Sequence, residues 1–395
     1  MISFPLIPLG ELCALNIGRT PSRGEKKYWG TGAKWLSIAD MNQGRYLTRT
    51  KEQITEAATK EVMGKPVSPG TVALSFKLSI GKVGIISAPM YTNEAIVTLP
   101  IKEPESLKAE YLYWALQYVN LLDETDDAVM GKTLNKAKLG RVQIPTPPIK
   151  EQKLIVETLD QADALLVKRR QSIALLNDLA QSIFLEMFGD AVGEYQSVTV
   201  GELAADRKNS IRTGPFGSQL LHGEFVESGI PVLGIDNAVN NEFRWAKRRF
   251  ITEKKYQKLA RYRIFPGDVI ITIMGTCGRC AVVPEGIGVA INTKHLCCIS
   301  LDRSKCLPEF LHSYFLMHPI ARSYLQRTAK GAIMSGLNMN IIKAMPVALP
   351  SLARQERYVV IAREVQDQKL RQLRHLGELE ELFGSLQARA FRGEL

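Results

Sequence analysis

Long apolar runs, histidine and cysteine are all scarce in this sequence of 395 residues. No apolar stretch approaches the roughly 18 residues that a membrane span needs, so the sequence predicts none. The six cysteines include an adjacent pair, Cys297 and Cys298, and an isolated Cys13; this pattern differs from a disulfide framework and favours reduced, mostly buried thiols. The opening segment MISFPLIPLG lacks the basic region and small-residue cleavage site of a secretory signal, so we expect a cytoplasmic protein.

Basic residues are in excess, and they are concentrated in two parts of the chain. Residues 1–150 hold 19 basic and 14 acidic side chains, and residues 191–353 hold 20 and 12, which gives net charges of +5 and +8. Residues 151–190 and 354–395 together hold 12 basic and 14 acidic side chains. A basic surface favours a polyanionic partner, and nucleic acid is the commonest one in a cell. A solvated, moderately basic surface is the alternative that charge leaves open.

The chain repeats itself once. Three segments of the first half return in the second: LGEL (9–12) as VGEL (200–203), SPGTVALS (68–75) as FPGDVIIT (265–272), and TLNKAKLGRVQIPTPP (133–148) as GLNMNIIKAMPVALPS (336–351). The offset drifts from 191 to 203 residues, as small loop insertions would produce. Because 395 residues also exceed one ordinary hydrophobic core, we interpret the chain as two related halves.

Each half predicts one globular domain followed by one long helix. Short β-branched runs bounded by Pro, Gly and Asn predict strands and turns, while LKAEYLYWALQYVN has the period of an amphipathic helix. The predicted fold class is α+β: two similar mixed α/β globular domains separated by two long antiparallel α-helices in a coiled coil, with a pseudo-twofold internal repeat. The predicted segments are a first domain at 1–148, a central helical region at 149–190, a second domain at 191–350 and a C-terminal helical region at 351–395.

The two helical regions have coiled-coil spacing. From Ile155 to Met187, residues at alternating steps of four and three are apolar except Arg169, which is the a/d seam of a coiled coil. Lys369 and Gln372 interrupt the seam of the C-terminal helix. The predicted seam residues are Ile155, Leu159, Leu166, Ile173, Leu176, Ile183, Leu376, Leu379, Phe383 and Leu386.

Helix length suggests a spacer. About 38 helical residues at 1.5 Å each give a rod of roughly 57 Å, which corresponds to on the order of 15 base pairs of duplex DNA. If the helices are antiparallel, we expect the basic domains to lie toward opposite ends of this rod. A plain packing or dimerisation element is the alternative that periodicity leaves open.

Motifs for catalysis or cofactor binding are incomplete. An MGKT run resembles the end of a P-loop, but Asp126 stands where the loop needs a glycine. The sequence has no Ser/His/Asp constellation, no metal-spaced histidine pair and no glycine-rich fingerprint for a methyl donor, so we expect no cofactor. Cys277 and Cys280 have a zinc-like spacing. Their counterparts in the first repeat are Ile80 and Val83, which favours buried apolar side chains over metal ligands.

Three longer motifs are more specific. The opening NIGRTPSRGEKKYWGTGAKWLSIADM, the junction TLNKAKLGRVQIPTPPIKEQKLIV and the ending LQARAFRGEL together resemble the specificity (S) subunits of type I restriction-modification enzymes. The resemblance implies two target-recognition domains, each reading half of a bipartite DNA site. It also implies helical regions on which methyltransferase (M) subunits, and through them restriction (R) subunits, assemble. The second domain departs from the first at its start, with TGPFGS in place of RTPS, so we expect two different half-sites.

Candidate DNA contacts are polar side chains on loops that occur in both repeats, because such side chains read base edges. For each of them a solvated or turn-capping role is the alternative, and a structural role is favoured for Asn135 and Asn338. The first-domain candidates are Arg19, Thr20, Arg23, Lys77, Ser79, Lys82, Lys132, Thr133 and Lys136. The second-domain candidates are Thr213, Ser218, Gln219, Thr276, Arg279, Asn292, Lys294, His295, Ser335 and Asn340, with Arg212 at the domain opening and Arg244 and Lys247 in the basic run RWAKRRF.

The sequence therefore predicts a non-catalytic DNA-recognition and scaffold subunit. Its expected partners are double-stranded DNA, M subunits and, through them, an R subunit. Two alternatives remain open: a metal-dependent nuclease that uses Asp236, Glu253 and Lys255, and a coiled-coil adaptor between proteins whose basic charge is incidental.

Overall fold

The computed structural model describes residues 4–77, 79–121, 134–189, 195–245, 248–329 and 336–395. The chain forms two compact units, one from residues 1–170 and 374–395 and the other from residues 171–373. Each unit therefore combines one globular domain with part of both long helices. The division into four sequential segments stays a prediction. Among the described residues, no helix is long and apolar enough to cross a membrane.

The first unit is a mixed α/β domain. Its strands are β1 (Leu6–Pro8), β2 (Asn16–Ile17), β3 (Trp29–Leu36), β4 (Tyr46–Leu47), β5 (Glu52–Ile54), β6 (Val72–Ser75), β7 (Val83–Ile86), β8 (Tyr91–Thr92), β9 (Ile96–Leu99) and β10 (Gln143–Pro145). Its helices are α1 (Leu9–Leu12), α2 (Glu56–Ala58), α3 (Ala109–Tyr118) and α4 (Lys136–Arg141), with short turns at Lys26–Tyr28, Asp40–Gln43 and Thr59–Met63, and the long helix α5 (Ile149–Phe188) follows. The sheets run β2–β9–β6–β7–β4 and β5–β3–β8, with a separate pair β1–β10.

The second unit repeats this plan. Its strands are β11 (Gln196–Thr199), β12 (Ile211–Thr213), β13 (Ile230–Leu233), β14 (Phe250–Ile251), β15 (Arg263–Ile264), β16 (Val269–Thr272), β17 (Cys280–Val282), β18 (Ala290–Asn292), β19 (Leu296–Ile299) and β20 (Pro346–Leu349). Its helices are α6 (Glu253–Leu259), α7 (Pro308–Met317), α8 (Pro319–Ala329) and α9 (Met339–Lys343), with short turns at Gly217–Gln219, His222–Glu224, Ile235–Asn237 and Ala260–Tyr262, and the long helix α10 (Leu352–Arg392) follows. The sheets run β12–β19–β16–β17 and β14–β13–β18–β15, with a separate pair β11–β20.

The central strands of both domains are buried on both faces. In β6, Val72 and Leu74 pack with helix α3, whereas Ala73 packs with Leu36 and Leu47 on the other side. Alternate residues of a strand point to opposite faces, so one short strand contributes to two hydrophobic layers. This explains why these strands are continuous apolar runs rather than alternating ones. The mixed α/β class and the internal repeat are confirmed.

In each unit, the start of one long helix packs with the end of the other. In the first unit, Ile155 and Leu159 near the start of α5 share a core with Phe391 at the end of α10. In the second unit, Phe188 at the end of α5 shares a core with Tyr358 near the start of α10. The two helices are therefore antiparallel. Along the predicted seam, Ile155, Leu159 and Leu166 are buried, and Ile173, Leu176, Ile183, Leu376, Leu379, Phe383 and Leu386 are half-buried.

A buried glutamine fixes the start of each long helix. Gln152 is fully buried; it accepts a hydrogen bond from the Lys108 amide at 3.0 Å and donates to the carbonyls of Ser106 and Pro147 at 2.8 and 2.9 Å. Gln355 has the same arrangement in the second unit, with Leu307, Lys305 and Pro350 as its backbone partners. Because each amide satisfies three backbone groups, it ties the helix to the loop that precedes α3 or α7.

Candidate nucleic-acid interface

Four loops of the first domain come together at one end of its central sheet. The Arg19 amide, after β2, donates to the Thr92 carbonyl at 2.8 Å, and the Phe76 amide, at the end of β6, donates to Ala95 at 3.0 Å. The Leu134 amide, before α4, donates to Phe76 at 3.3 Å. We call the described residues of 18–23, 76–82, 92–95 and 134–136 the first loop cluster.

The second domain builds the same arrangement with different residues. The Gly214 amide donates to the Thr293 carbonyl at 3.3 Å, Ile273 donates to His295 at 2.9 Å, and Leu337 donates to Ile273 at 3.1 Å. We call the described residues of 213–219, 273–279, 292–295 and 336–340 the second loop cluster. Loops that the sequence singled out separately are thus neighbours in each domain.

Each loop cluster depends on one glycine. A Cβ atom added to Gly18 would lie 2.2 Å from the carbonyl oxygen of Thr92, and one added to Gly214 would lie 2.1 Å from that of Asn292. Both distances are far shorter than any van der Waals contact, so only glycine allows the opening loop to approach the strand end this closely.

A hydroxyl at the end of the central strand holds each glycine turn. The Ser75 hydroxyl accepts from the Lys82 amide at 2.9 Å and also bonds the Ser79 carbonyl. The Thr272 hydroxyl does the same for Arg279, at 2.9 Å, and for Thr276. Lys82 and Arg279 therefore occupy matching positions on matching turns.

Several first-domain candidates already have protein partners. Arg23 pairs with Glu52 at 2.5 Å and stacks 3.9 Å above the Trp29 ring. The hydrogen bond that Arg23 donates to Glu52 raises the pKa of Arg23. Thr20 bonds Glu94. Lys82 donates to the Ile38 carbonyl at 3.3 Å.

The other first-domain candidates differ in exposure. Arg19 is exposed and donates to the Val62 carbonyl at 3.1 Å. Ser79 and Lys136 are exposed, and Lys77 is half-buried. Lys132 and Thr133 lie outside the described residues.

The exposed candidates of the second domain are Ser218, Gln219, Arg244, Thr276, Arg279 and Asn340. Gln219 is held from behind, because its Oε1 accepts from the Tyr262 hydroxyl at 2.8 Å and from the Phe216 amide at 3.3 Å. The two donors on its Nε2 take no part in these bonds. Thr213, Lys294 and His295 are half-buried, while Lys247 and Ser335 lie outside the described residues.

The surroundings of His295 favour its neutral imidazole. Burial lowers the pKa of this imidazole, and the nearby Lys294 and Arg249 cations lower it further. In its neutral form the ring can donate from one nitrogen and accept at the other, which is a base-reading chemistry rather than a phosphate-binding one.

Two predicted DNA contacts lie inside the domain. Arg212 is only 5% exposed and pairs with Asp268 at 2.5 Å, while its Nε donates to the Arg263 carbonyl at 2.8 Å. Asn292 is fully buried, and its side chain donates to the Leu296 carbonyl at 3.1 Å. The sequence prediction followed loop position and could not see that β12 pairs with buried β19. We therefore leave both side chains out of the proposed interface.

Asn135 and Asn338 have the structural role that the sequence favoured. Each begins a short helix: the Asn135 side chain accepts from the Lys138 amide at 2.9 Å, and the Asn338 side chain accepts from the Ile341 amide at 2.9 Å. These N-caps fix where α4 and α9 begin, at the end of the last loop of each cluster.

Comparison with known proteins assigns this architecture. The profile described as "Type I restriction modification DNA specificity domain" matches residues 4–176 and again residues 194–375. The chain belongs to this DNA specificity family. It is 24% identical over 392 residues to the type I restriction enzyme EcoBI specificity subunit of Escherichia coli, covering 92% of this chain and 80% of that one. It is 30% identical over 187 residues to the MjaIX specificity subunit of Methanocaldococcus jannaschii, covering 46% and 42%.

Solved structures share the fold of this specificity family member. The crystal structure of a type I restriction-modification S subunit from M. genitalium matches with a TM-score of 0.57 at 14% identity, covering 99% of this chain and 96% of that one. A chain from a study of complex assembly and conformational transition of the type I R-M system matches with a TM-score of 0.57 at 16% identity, covering 100% and 99%.

The basic run of the second domain is anchored to a buried asparagine. The Asn237 side chain donates to the Arg244 carbonyl at 2.8 Å, Arg249 pairs with Asp236, and Arg248 stacks 5.0 Å from the Trp245 ring. Sequence reasoning did not single out Arg248, although its place beside an aromatic residue in a basic run was the available signal.

Family membership does not support the nuclease or the adaptor alternative. Asp236 is engaged by Arg249, and Lys255 by Glu224 at 2.5 Å. Within the described part of the chain, no three His, Cys, Asp or Glu side chains group to hold a metal ion. Of the two cysteines with a zinc-like spacing, Cys280 is buried and Cys277 is half-buried. Burial raises the pKa of the Cys280 thiol, so this thiol stays protonated.

Proposed function

We propose that this chain reads a bipartite, asymmetric site in double-stranded DNA as the specificity subunit of a type I restriction-modification enzyme. The observation that carries the proposal is the duplicated loop cluster. Two backbone hydrogen bonds recur at corresponding positions of the two segments that match the specificity family, Phe76 to Ala95 as Ile273 to His295 and Leu134 to Phe76 as Leu337 to Ile273. The side chains that these loops present differ. A repeated frame with changed loops is what reading two different half-sites requires.

The side chains divide into two proposed roles. Lys82 and Arg279, at matching turn positions, contact phosphates and set the register of each domain on the duplex. Ser218, Gln219 and Thr276 read base edges in the second half-site. Because Oε1 of Gln219 already accepts two hydrogen bonds, its Nε2 acts as the donor to a base acceptor in the major groove. In the first half-site Arg19 and Ser79 take this reading role.

The long helices supply the proposed partner surface. Apolar side chains stand exposed on both helices outside the seam, among them Leu165, Leu175 and Leu179 on α5 and Leu370 and Leu382 on α10. Exposed large apolar side chains that gather on one part of a protein mark interaction surfaces. We propose that M subunits dock here and bring R subunits with them, and that helix length sets the unread gap. The chain itself contributes recognition rather than catalysis, and it acts on DNA in the cytoplasm.

The test selects bound fragments from random duplex DNA with the full chain co-purified with its M subunit. The expected result is a split consensus, two short different sequences with a fixed gap. Gln219→Ala should relax one base position in one half-site and leave the other half-site intact. Gln161→Ala, an exposed glutamine on α5, is the matched control and should change neither.

A contiguous consensus, or no consensus at all, overturns the proposal. Salt dependence separates it from the adaptor alternative, because affinity carried by phosphate contacts falls steeply as salt rises. Binding that ignores both salt and DNA sequence would favour an adaptor.

A further inference from the structure

The first domain is tied to helix α5 by a partly buried ion pair. Arg45, just before β4, lies 2.5 Å from Asp160 of α5, and the Arg45 side chain is 15% exposed. The Trp114 indole nitrogen donates to the same carboxylate oxygen at 2.8 Å, and the guanidinium lies 5.0 Å from the Tyr113 ring. The domain supplies the cation and the helix supplies the anion.

The second domain is tied to helix α10 by a pair of the opposite polarity. Glu242 lies 2.8 Å from Lys369 of α10, with side-chain exposures of 24% and 22%. Burial raises the pKa of Glu242, but the hydrogen bonds from Lys369 and Gln366 and the charges of Lys369 and Arg244 together outweigh it, so the pKa is lowered overall. Here the domain supplies the anion and the helix supplies the cation.

Asn241 fixes the loop that carries Glu242. Asn241 has a positive φ of 60°, and its side chain accepts from the Cys280 amide at 3.2 Å. Its carbonyl accepts from the half-buried His312 imidazole at 2.9 Å. The position of the Glu242 carboxylate is therefore set by the domain core.

The two pairs are related by the internal repeat. WLSIAD (35–40) corresponds to VLGIDN (232–237), and this offset of 197 residues carries Arg45 onto Glu242. The buried glutamines Gln152 and Gln355 align the helices with an offset of 203, which carries Asp160 onto Arg363 and Asp163 onto Gln366. The charge is thus inverted at corresponding positions of the two domains. On the helix side Arg363, which corresponds to Asp160, is also basic but pairs with Glu309, and Glu242 pairs instead with Lys369 on the same helix.

We propose that these two ion pairs form a docking key that lets each recognition domain bind its own helix and rejects the other. The first domain on α10 would set Arg45 against Arg363 and Lys369. The second domain on α5 would set Glu242 against Asp160 and Asp163. Like charges in a partly buried contact act as an element of specificity, because the wrong partner loses more than the right one gains. Under the proposed function, the key fixes the order of the two half-sites relative to the helices.

A charge-reversal cycle in the full chain tests the contacts one at a time. Arg45→Glu and Asp160→Arg should each increase amide hydrogen exchange in β4 by about tenfold, and the double reversal should bring exchange back to within about threefold of the original chain. Glu242→Lys, Lys369→Glu and their combination should behave in the same way at residues 236–245. Failure of both double reversals to restore protection overturns the key.

A domain exchange tests rejection directly. Consider a full-length chain in which the two domains, residues 4–148 and 195–350, have changed places. Its β4 and residues 236–245 should be poorly protected against amide hydrogen exchange, and Arg45→Glu together with Glu242→Arg should restore that protection. Arg49→Glu with Glu253→Arg, which changes two exposed residues, is the matched control and should restore nothing. Equal hydrogen-exchange protection in the domain-exchanged chain with and without Arg45→Glu and Glu242→Arg contradicts the inference. Because these measurements use no DNA, they stand even where the DNA-reading proposal fails.

Discussion

Strand β2 of the first unit and strand β12 of the second occupy the same place beside their central sheets, but their side chains differ in kind. In the second unit, Arg212 of β12 lies opposite Cys298 of β19 and forms a buried ion pair with Asp268. In the first unit the equivalent strand has Asn16 opposite Thr98, and its exposed side chain stands outside the core. The same backbone frame therefore tolerates either a buried charge pair or a neutral polar edge.

The elements that position the loops do not vary in this way. Both units keep the buried glutamine at the helix start, the glycine of the opening loop and the hydroxyl that holds the glycine turn. What is kept fixes backbone geometry, and what varies is side-chain chemistry. This separation allows two domains with one architecture to recognise different sequences.

Removing the acid of the buried pair is expected to give the largest difference between the units. Asp268→Ala leaves the Arg212 guanidinium buried without a counter-ion, which should lower the free energy of unfolding of the second unit by about 3–5 kcal/mol. Thr71→Ala at the corresponding position of the first unit should cost less than about 1 kcal/mol. Hydrogen exchange of the β16 and β6 amides measures the two units separately, and equal losses would contradict the comparison.

Replacing Gln152 or Gln355 is expected to destabilise the two units equally, because both side chains belong to the backbone frame that the units share. Gln152→Ala strips one backbone amide and two backbone carbonyls of their partner and should cost the first unit about 2–3 kcal/mol. Gln355→Ala should cost the second unit the same amount. Denaturant unfolding followed by unit-specific hydrogen exchange is the measurement, with Gln161→Ala as the exposed control. A large effect in only one unit would show that the two helix starts are not equivalent.

Gly18 and Gly214, the glycines of the two opening loops, are expected to affect both the stability of their unit and its recognition of DNA. Gly18→Ala and Gly214→Ala each force a backbone shift, with an expected cost of about 1–3 kcal/mol. Because the loop itself moves, each should impair recognition of one half-site only, and not the same one. Selection of bound fragments from random duplex DNA measures the loss of recognition at each half-site. Gly24→Ala, where an added Cβ would meet its nearest atom at 3.9 Å, should leave both half-sites unchanged.

Much of this architecture could be predicted from local pattern. The repeat offsets placed matching loops in both domains, and the step of four and three along α5 selected residues that are buried or half-buried. Lys369 looked like a defect in the seam of α10, because periodicity carries no information about Glu242, which is 127 residues away. Arg212 was interpreted as a surface contact for a similar reason, since its burial depends on Asp268 across the sheet. Long-range polar pairing is what single-sequence reasoning could not supply.

The smallest expected effect concerns the matched turn cations. Arg279 is exposed, whereas Lys82 is half-buried and donates to the Ile38 carbonyl. Arg279→Ala should therefore reduce the slope of log affinity against log salt by about 1, because one phosphate contact is lost. Lys82→Ala should reduce it by less, since that ammonium is already partly committed to the protein. Titration of a duplex site at several salt concentrations measures both slopes, and a larger loss for Lys82→Ala would reverse the comparison of the two turns.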